Sequence, residues 1–154
     1  MASERSYSIT LSNNQTEKAA VAYLMDADSS FLNPSPTSRK RILEILGLPS
    51  GFSRAFDLFR VPGHLNSESE ITLADGAAIT LIELKTTRKY LPDCPRGFFF
   101  GATKNEFELA RLLGDRFRFC FVCLHPESTG FHLLSLEELE ALVRTKRTQY
   151  QINL

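Results

Sequence analysis

Tryptophan is missing from this chain, and cysteine is scarce at three residues in 154. An odd cysteine count without scaffold spacing excludes a disulfide-stapled fold and suits a reducing compartment, so an intracellular, cytoplasmic setting is expected. Net charge is missing too: Lys plus Arg and Asp plus Glu are both 18, giving a formal charge of +0. A globally basic nucleic-acid binder is therefore excluded, and a polyanion partner would have to meet basic residues gathered on one face. No apolar run is long enough to cross a bilayer, and the opening MASERSYSITLSNNQTEKAA lacks the apolar core of a signal peptide, so no membrane partner is expected. Internal repeats and low-complexity runs are absent as well. What the chain does have is phenylalanine, 12 of them, in an otherwise ordinary globular composition with 43% hydrophobic residues. The length fits one domain over residues 1–154.

The order of elements follows from period and punctuation. Asn14 followed by Glu17 has capping-box spacing and predicts a helix to Met25. Phe31 to Pro36 reads as a loop, since each proline biases its predecessor toward extended geometry. Ile42, Leu43, Ile45 and Leu46 form the stripe of a second helix from about Ser38 to Leu46, stopped by Gly47 and Pro49. Ala55 to Val61 reads as a strand. Ile71 to Leu73, then Asp75-Gly76, then Ala77 to Thr87 reads as a hairpin with an Asp-Gly turn. The segment up to Glu83 is apolar on both faces, as an interior strand would be.

Gly97 to Gly101 reads as a short strand. Thr103-Lys104-Asn105-Glu106 is a second capping box, opening a helix that Gly114 ends. Arg116 to Leu124 and Phe131 to Leu134 read as strands, and Ser135 with Glu138 caps a last helix to about Lys146. The expected fold is α/β, a mixed β-sheet flanked by α-helices.

One strand carries the chemistry. Glu83 and Lys85 are two apart, so they share a face about 6.6 Å apart along the strand while Leu84 points away. An acid and an amine on an interior strand are costly to desolvate without partners. A metal ion and a substrate phosphate would be such partners. Asp57 is again a lone acid among apolar residues, on what reads as a neighbouring strand. If the strands pair, the Asp57 and Glu83 carboxylates should approach within about 6 Å, near enough to share one divalent cation. Phosphodiester hydrolysis needs an activated water and neutralised charge on the non-bridging oxygens. A carboxylate-held Mg²⁺ supplies both, and an ammonium beside it can orient water or stabilise developing charge.

At these residues the sequence resembles the PD-(D/E)XK nuclease superfamily, in which an acid on one strand precedes (D/E)-x-K on the next. Asp57 matches the first acid and Glu83-Leu84-Lys85 the triad. Phe56 stands where a proline is often found. Many members add an acid from the first core helix to the metal site, and Glu17 occupies a comparable place. Further along, Glu83 to Thr87, Phe98 to Phe100, Thr103 to Glu106, Ala110 and Gly114 to Phe117 resemble a nuclease-like domain of unknown role that also forms the C-terminal part of the plant protein No Vein. The likeness spans Asp57 to about Val122. It implies a restriction-endonuclease-like fold, with Asp57, Glu83 and Lys85 catalytic and Asp57, Glu83 and Glu17 at the metal, which would be Mg²⁺ with Mn²⁺ as a substitute.

Lys85, Arg88, Lys89, Arg96 and Lys104 face one acid, Asp93, across that stretch. This local excess makes Arg88, Lys89, Arg96, Lys104 and Asn105 the candidate nucleic-acid contacts. Arg39-Lys40-Arg41 and Arg144 to Arg147 read as solvated helix faces. Cys120 and Cys123, three apart on a strand, should face opposite sides without holding zinc, and His64, His125 and His132 have no ligand spacing. The expectation is a metal-dependent endonuclease acting on DNA, with RNA left open and a homodimer a candidate arrangement for gripping a duplex. The rival is a catalytically silent nucleic-acid-binding or protein-interaction module on the same fold.

Overall fold

A computed structural model describes residues 2–62 and 78–154, and of residues 2–14 the backbone alone. Its elements in chain order are α1 (Ala2–Ala27), β1 (Phe31–Leu32), α2 (Pro36–Leu46), β2 (Leu58–Arg60), β3 (Thr80–Thr87), α3 (Lys104–Leu113), β4 (Phe117–Cys123), β5 (Gly130–Leu134) and α4 (Leu136–Leu142). The five strands form one sheet in the order β1-β2-β3-β4-β5. Only β3 and β4 run parallel, joined through α3; the other neighbours are antiparallel. The fold is a mixed α/β sheet with helices on both faces.

Strand alternation sorts the core into two layers. On one face Phe59, Leu81, Phe119 and Phe121 pack with Ile42 and Leu43 of α2, Leu109 and Leu113 of α3, and Leu139 of α4. On the other, Leu58, Ile82, Leu84, Cys120 and Val122 pack with Ala20 and Leu24 of α1 and with Phe31. Burying each such Phe or Leu removes apolar surface worth about 1.5–3 kcal/mol of transfer free energy. β3 lies third of five, as its two apolar faces require.

Several boundaries differ from the sequence expectation. The first helix starts at Ala2 rather than at Asn14. No proline or glycine interrupts residues 2–27, so the backbone runs through the capping signal, and Asn14 and Glu17 sit inside the helix. Phe31 and Leu32, expected in a loop, pair with Arg60 and Phe59. The second helix starts at Pro36, where a missing N–H costs nothing, with the Ser35 side chain accepting from the Ser38 N–H. Gly47 closes it in the left-handed region, φ 70°.

No strand forms over residues 97–101. Both edges of β4 are already occupied by β3 and β5, so the segment packs by rings instead of by a ladder. Phe98 and Phe100 meet Phe121 edge-on at 5.0 and 5.1 Å, while Phe99 is 93% exposed. The last helix stops at Leu142, not Lys146: Val143 and Arg144 offer no apolar stripe, and Val143 is already exposed. The Asp75-Gly76 hairpin turn, Ile71 to Leu73 and His64 lie outside the described residues; of that hairpin the described part is β3, which starts at Thr80 and pairs antiparallel with β2.

Candidate active site

The strand expected over Ala55 to Val61 is shortened to Leu58–Arg60, and the reason is Asp57 itself. Its N–H donates to the Ile82 carbonyl at 2.8 Å, continuing the ladder for one more bond. The next ladder donor, the Leu84 N–H, goes to the Asp57 side chain at 2.7 Å (Oδ2). A carboxylate thus ends the pairing and is pinned to the backbone between Glu83 and Lys85. From the other side, the Arg39 guanidinium donates to the carbonyls of Ser53, Phe56 and Asp57 and lies over the Phe56 ring at 5.2 Å. Arg39, expected to be solvated, is instead the clamp that holds the Asp57 loop to α2.

Glu83 and Lys85 share the face of Leu81 and point toward α3. Lys85 is nearly buried, and each proton of its ammonium has an acceptor: Glu106 Oε1 at 2.7 Å, the Gly101 carbonyl at 2.7 Å and Glu83 Oε1 at 3.2 Å. Burial alone would lower the pKa of that amine, but the Glu83 carboxyl and the hydrogen-bonded, charged Glu106 carboxylate outweigh it and hold the pKa above the ordinary lysine value. Burial would likewise raise Glu106. The hydrogen bonds from Lys85 and Thr103 win, and its carboxyl lies below the usual range.

Glu106 was legible in sequence only as a cap. Its Oε2 does close the capping box, accepting from the Thr103 N–H and hydroxyl at 3.0 and 2.7 Å, while its Oε1 holds Lys85. A buried acid beside a lysine-bearing strand is visible only once α3 is laid across β3, so no local signal could have found it.

Glu83 is the strained member. Burial, then the Asp57 charge, push its carboxyl up to about 10, against the smaller opposing pull of Lys85. Its Oε2 is buried with no hydrogen-bond partner. Two carboxyls in contact can be accommodated only by sharing a proton or a cation. Glu17 joins the row from α1. It is exposed on its helix, and its carboxyl is raised by partial burial and then by the nearby Asp57 carboxyl. The sequence left Glu17 between cap and site, and the structure puts it beside Asp57.

Among the described residues no group of three or more His, Cys, Asp or Glu side chains is arranged to hold a metal ion. A Mg²⁺ that keeps most of its waters asks for only one or two carboxylates. Asp57 and Glu83 meet that demand, and the orphaned Oε2 of Glu83 is the kind of atom a cation would satisfy.

The candidate nucleic-acid residues have different neighbours. Arg88 Nε donates to Thr16 on α1 at 3.1 Å. Arg96 lines a small cavity with Arg144 near the end of α4. Lys104 is exposed and lies 3.7 Å from Glu108. Lys89 and Asn105 are exposed, Asn105 in the first turn of α3. Cys120 packs on the α1 face, whereas the Cys123 thiol lies within hydrogen-bond distance of the Lys89 carbonyl and the Ser128 hydroxyl, at 3.2 and 3.1 Å. Burial pushes the thiols of Cys94 and Cys120 up to about 11 and about 12, so both stay protonated. No helix among the described residues is long and apolar enough to cross a membrane.

No family model, curated protein or solved structure matches the chain.

Proposed function

We propose that the chain is a metal-dependent endonuclease of restriction-endonuclease-like fold that hydrolyses phosphodiester bonds in DNA. The observation that carries this reading is the buried, unpartnered Oε2 of Glu83 beside the Asp57 carboxyl. The buried Glu83 carboxyl beside the half-buried Asp57 carboxyl is an electrostatic conflict that a shared proton or a cation removes, and a cation is the partner the nuclease reading supplies. The resemblance of Asp57 and Glu83-Leu84-Lys85 to the PD-(D/E)XK pattern points the same way. Asp57 and Glu83 would hold Mg²⁺ or Mn²⁺, with Glu17 near enough to Asp57 to assist. The bound cation would supply an activated water and neutralise phosphate charge.

Lys85 acts as a cation and not as a base, since its neighbours hold it protonated. To reach a phosphate oxygen or the attacking water it must release one acceptor, and the longest contact, to Glu83 Oε1, is the one to yield. Glu106 and the Gly101 carbonyl keep the amine in place. A cytoplasmic setting and a homodimer on duplex DNA complete this reading.

The saturated ammonium favours a second reading, a catalytically silent nucleic-acid-binding or protein-interaction module in which Glu83, Lys85 and Glu106 only join β3 to α3. The test is incubation of plasmid and single-stranded DNA with Mg²⁺, Mn²⁺ or chelator, beside Glu83→Gln. Lys85→Ala is the weaker control, because it strips Glu106 of its partner. The glutamine copies the protonated acid and keeps the fold. Wild type should cut only with metal, and Mg²⁺ should raise its Tm; both effects should vanish in Glu83→Gln. Wild type that binds DNA and never cuts it with any divalent ion establishes the silent module instead.

A further inference from the structure

Next to Asp57 lies an open cleft of about 440 Å³ lined by Pro36, Arg39, Lys40, Ser53, Arg54, Phe56 and Asp57. Three of these side chains are cationic and one is acidic. We infer that this cleft is a phosphate-binding subsite that takes the DNA backbone next to the phosphate held at Asp57 and Glu83. The inference rests on the nuclease reading of that centre and adds the path by which the strand reaches it.

The cations here differ from those between Arg88 and Lys104. Arg39 is immobilised by three backbone carbonyls and the Phe56 ring, so its charge is preorganised and needs no ordering when a ligand arrives. Lys40, the next residue on α2, and Arg54, in the loop that Arg39 clamps, are both exposed at the cleft. The N-terminal end of α2 opens at Pro36 with no acid in its first turn, so the helix dipole adds partial positive charge uncancelled by a side chain. Glu17 is the opposing charge, since it interacts with both Asp57 and Arg39.

Asp57 belongs to the cleft and to the catalytic row at once, so the two are continuous. A phosphate in the cleft would lie beside the one that meets Lys85. Arg88 and Lys104, by contrast, are turned toward Thr16 and Glu108.

The experiment measures binding of a fluorescein-labelled DNA oligonucleotide to the full chain, in chelator so that nothing is cut, across a salt series. A Lys40→Ala/Arg54→Ala double variant removes two exposed charges and leaves the Arg39 clamp intact. Binding should weaken about tenfold, and the slope of log K against log salt should fall by about two, near 0.9 per lost phosphate contact. An Arg144→Ala/Arg147→Ala control, after α4, removes the same charge and should leave the slope within half a unit. Equal losses in both variants, or none in the first, overturn the subsite while metal-dependent cutting by wild type leaves the nuclease reading standing. Wild type that cuts with metal yet binds nothing in chelator also overturns the subsite alone. Wild type that neither binds nor cuts overturns both.

Discussion

Two capping boxes in this chain have the same local grammar and different fates. Thr103 with Glu106 opens α3, and Ser135 with Glu138 opens α4; in each the hydroxyl accepts from the glutamate N–H and the carboxylate takes the N-cap N–H. Glu138 stays in water and leans on Arg118 at 3.3 Å, whereas Glu106 is buried and reaches Lys85 at 2.7 Å. An identical motif is thus a helix start in one place and a support of the candidate site in the other. The lesson is that a capping carboxylate keeps acceptor capacity to spare, and the tertiary surroundings decide what uses it: Arg118 shares the capping Oε1 of Glu138, whereas Lys85 takes the other oxygen of Glu106.

The largest expected effect separates the two glutamates. Glu106→Ala leaves the Lys85 ammonium buried and short of a partner, which should cost about 3–5 kcal/mol in urea unfolding and abolish any cutting. Glu138→Ala should move Tm by a few degrees at most and leave cutting intact. Equal losses would erase the distinction. Next comes the coupling itself. A double-mutant cycle on Lys85 and Glu106 should return about 1.5–3 kcal/mol, while the cycle on Arg118 and Glu138 should return nothing measurable.

Acid and base titrations sharpen the contrast further. Glu106 is held below its ordinary value, so its contribution is present above an unfolded pKa of 4.5 and is lost as pH falls through the lower folded value. Glu83 has the opposite sign. Between 4.5 and about 10 the unfolded chain has released its proton and the folded chain retains it, so stability in chelator should fall as pH rises across that window. Glu83→Gln should flatten this decline, and a wild-type curve already flat would show that Glu83 ionises freely. The carboxyl of Glu138 is also lowered, by its bonds to Ser135, but in water; 1 M salt should blunt its acid-range effect and spare that of Glu106. The smallest effect is at the caps: Ser135→Ala should cost about 1 kcal/mol, and Thr103→Ala more, because that hydroxyl also steadies Glu106.

The same split governs how much of the molecule was legible beforehand. Both capping boxes, the Gly47 and Gly114 stops and the facing of Glu83 with Lys85 follow from local rules of a few residues, and the structure has them. Helix ends at Asn14, Ser38 and Lys146 were misplaced locally, whereas the segments whose strand state was misread depended on a distant strand. Phe31 and Leu32 pair because β2 offers an edge, and Phe98 to Phe100 stay unpaired because β4 has none left. Arg39 read as solvated because its acceptors, the carbonyls of Ser53, Phe56 and Asp57, arrive from another turn of the chain.

Sequence alone determined the helix and strand periods and the caps of α3 and α4, because these depend on residues within a turn or two of each other. It could also place Glu83 and Lys85 on one face, since alternation is a property of any strand. Only the tertiary structure decided that Asp57 ends β2 by bonding the Leu84 N–H, that Glu17 meets Asp57, and that Glu106 meets Lys85. Those contacts join residues 21 to 40 positions apart, and what stabilises them is the burial of the Phe-rich sheet between its helices, a sum over the whole core that no local window contains.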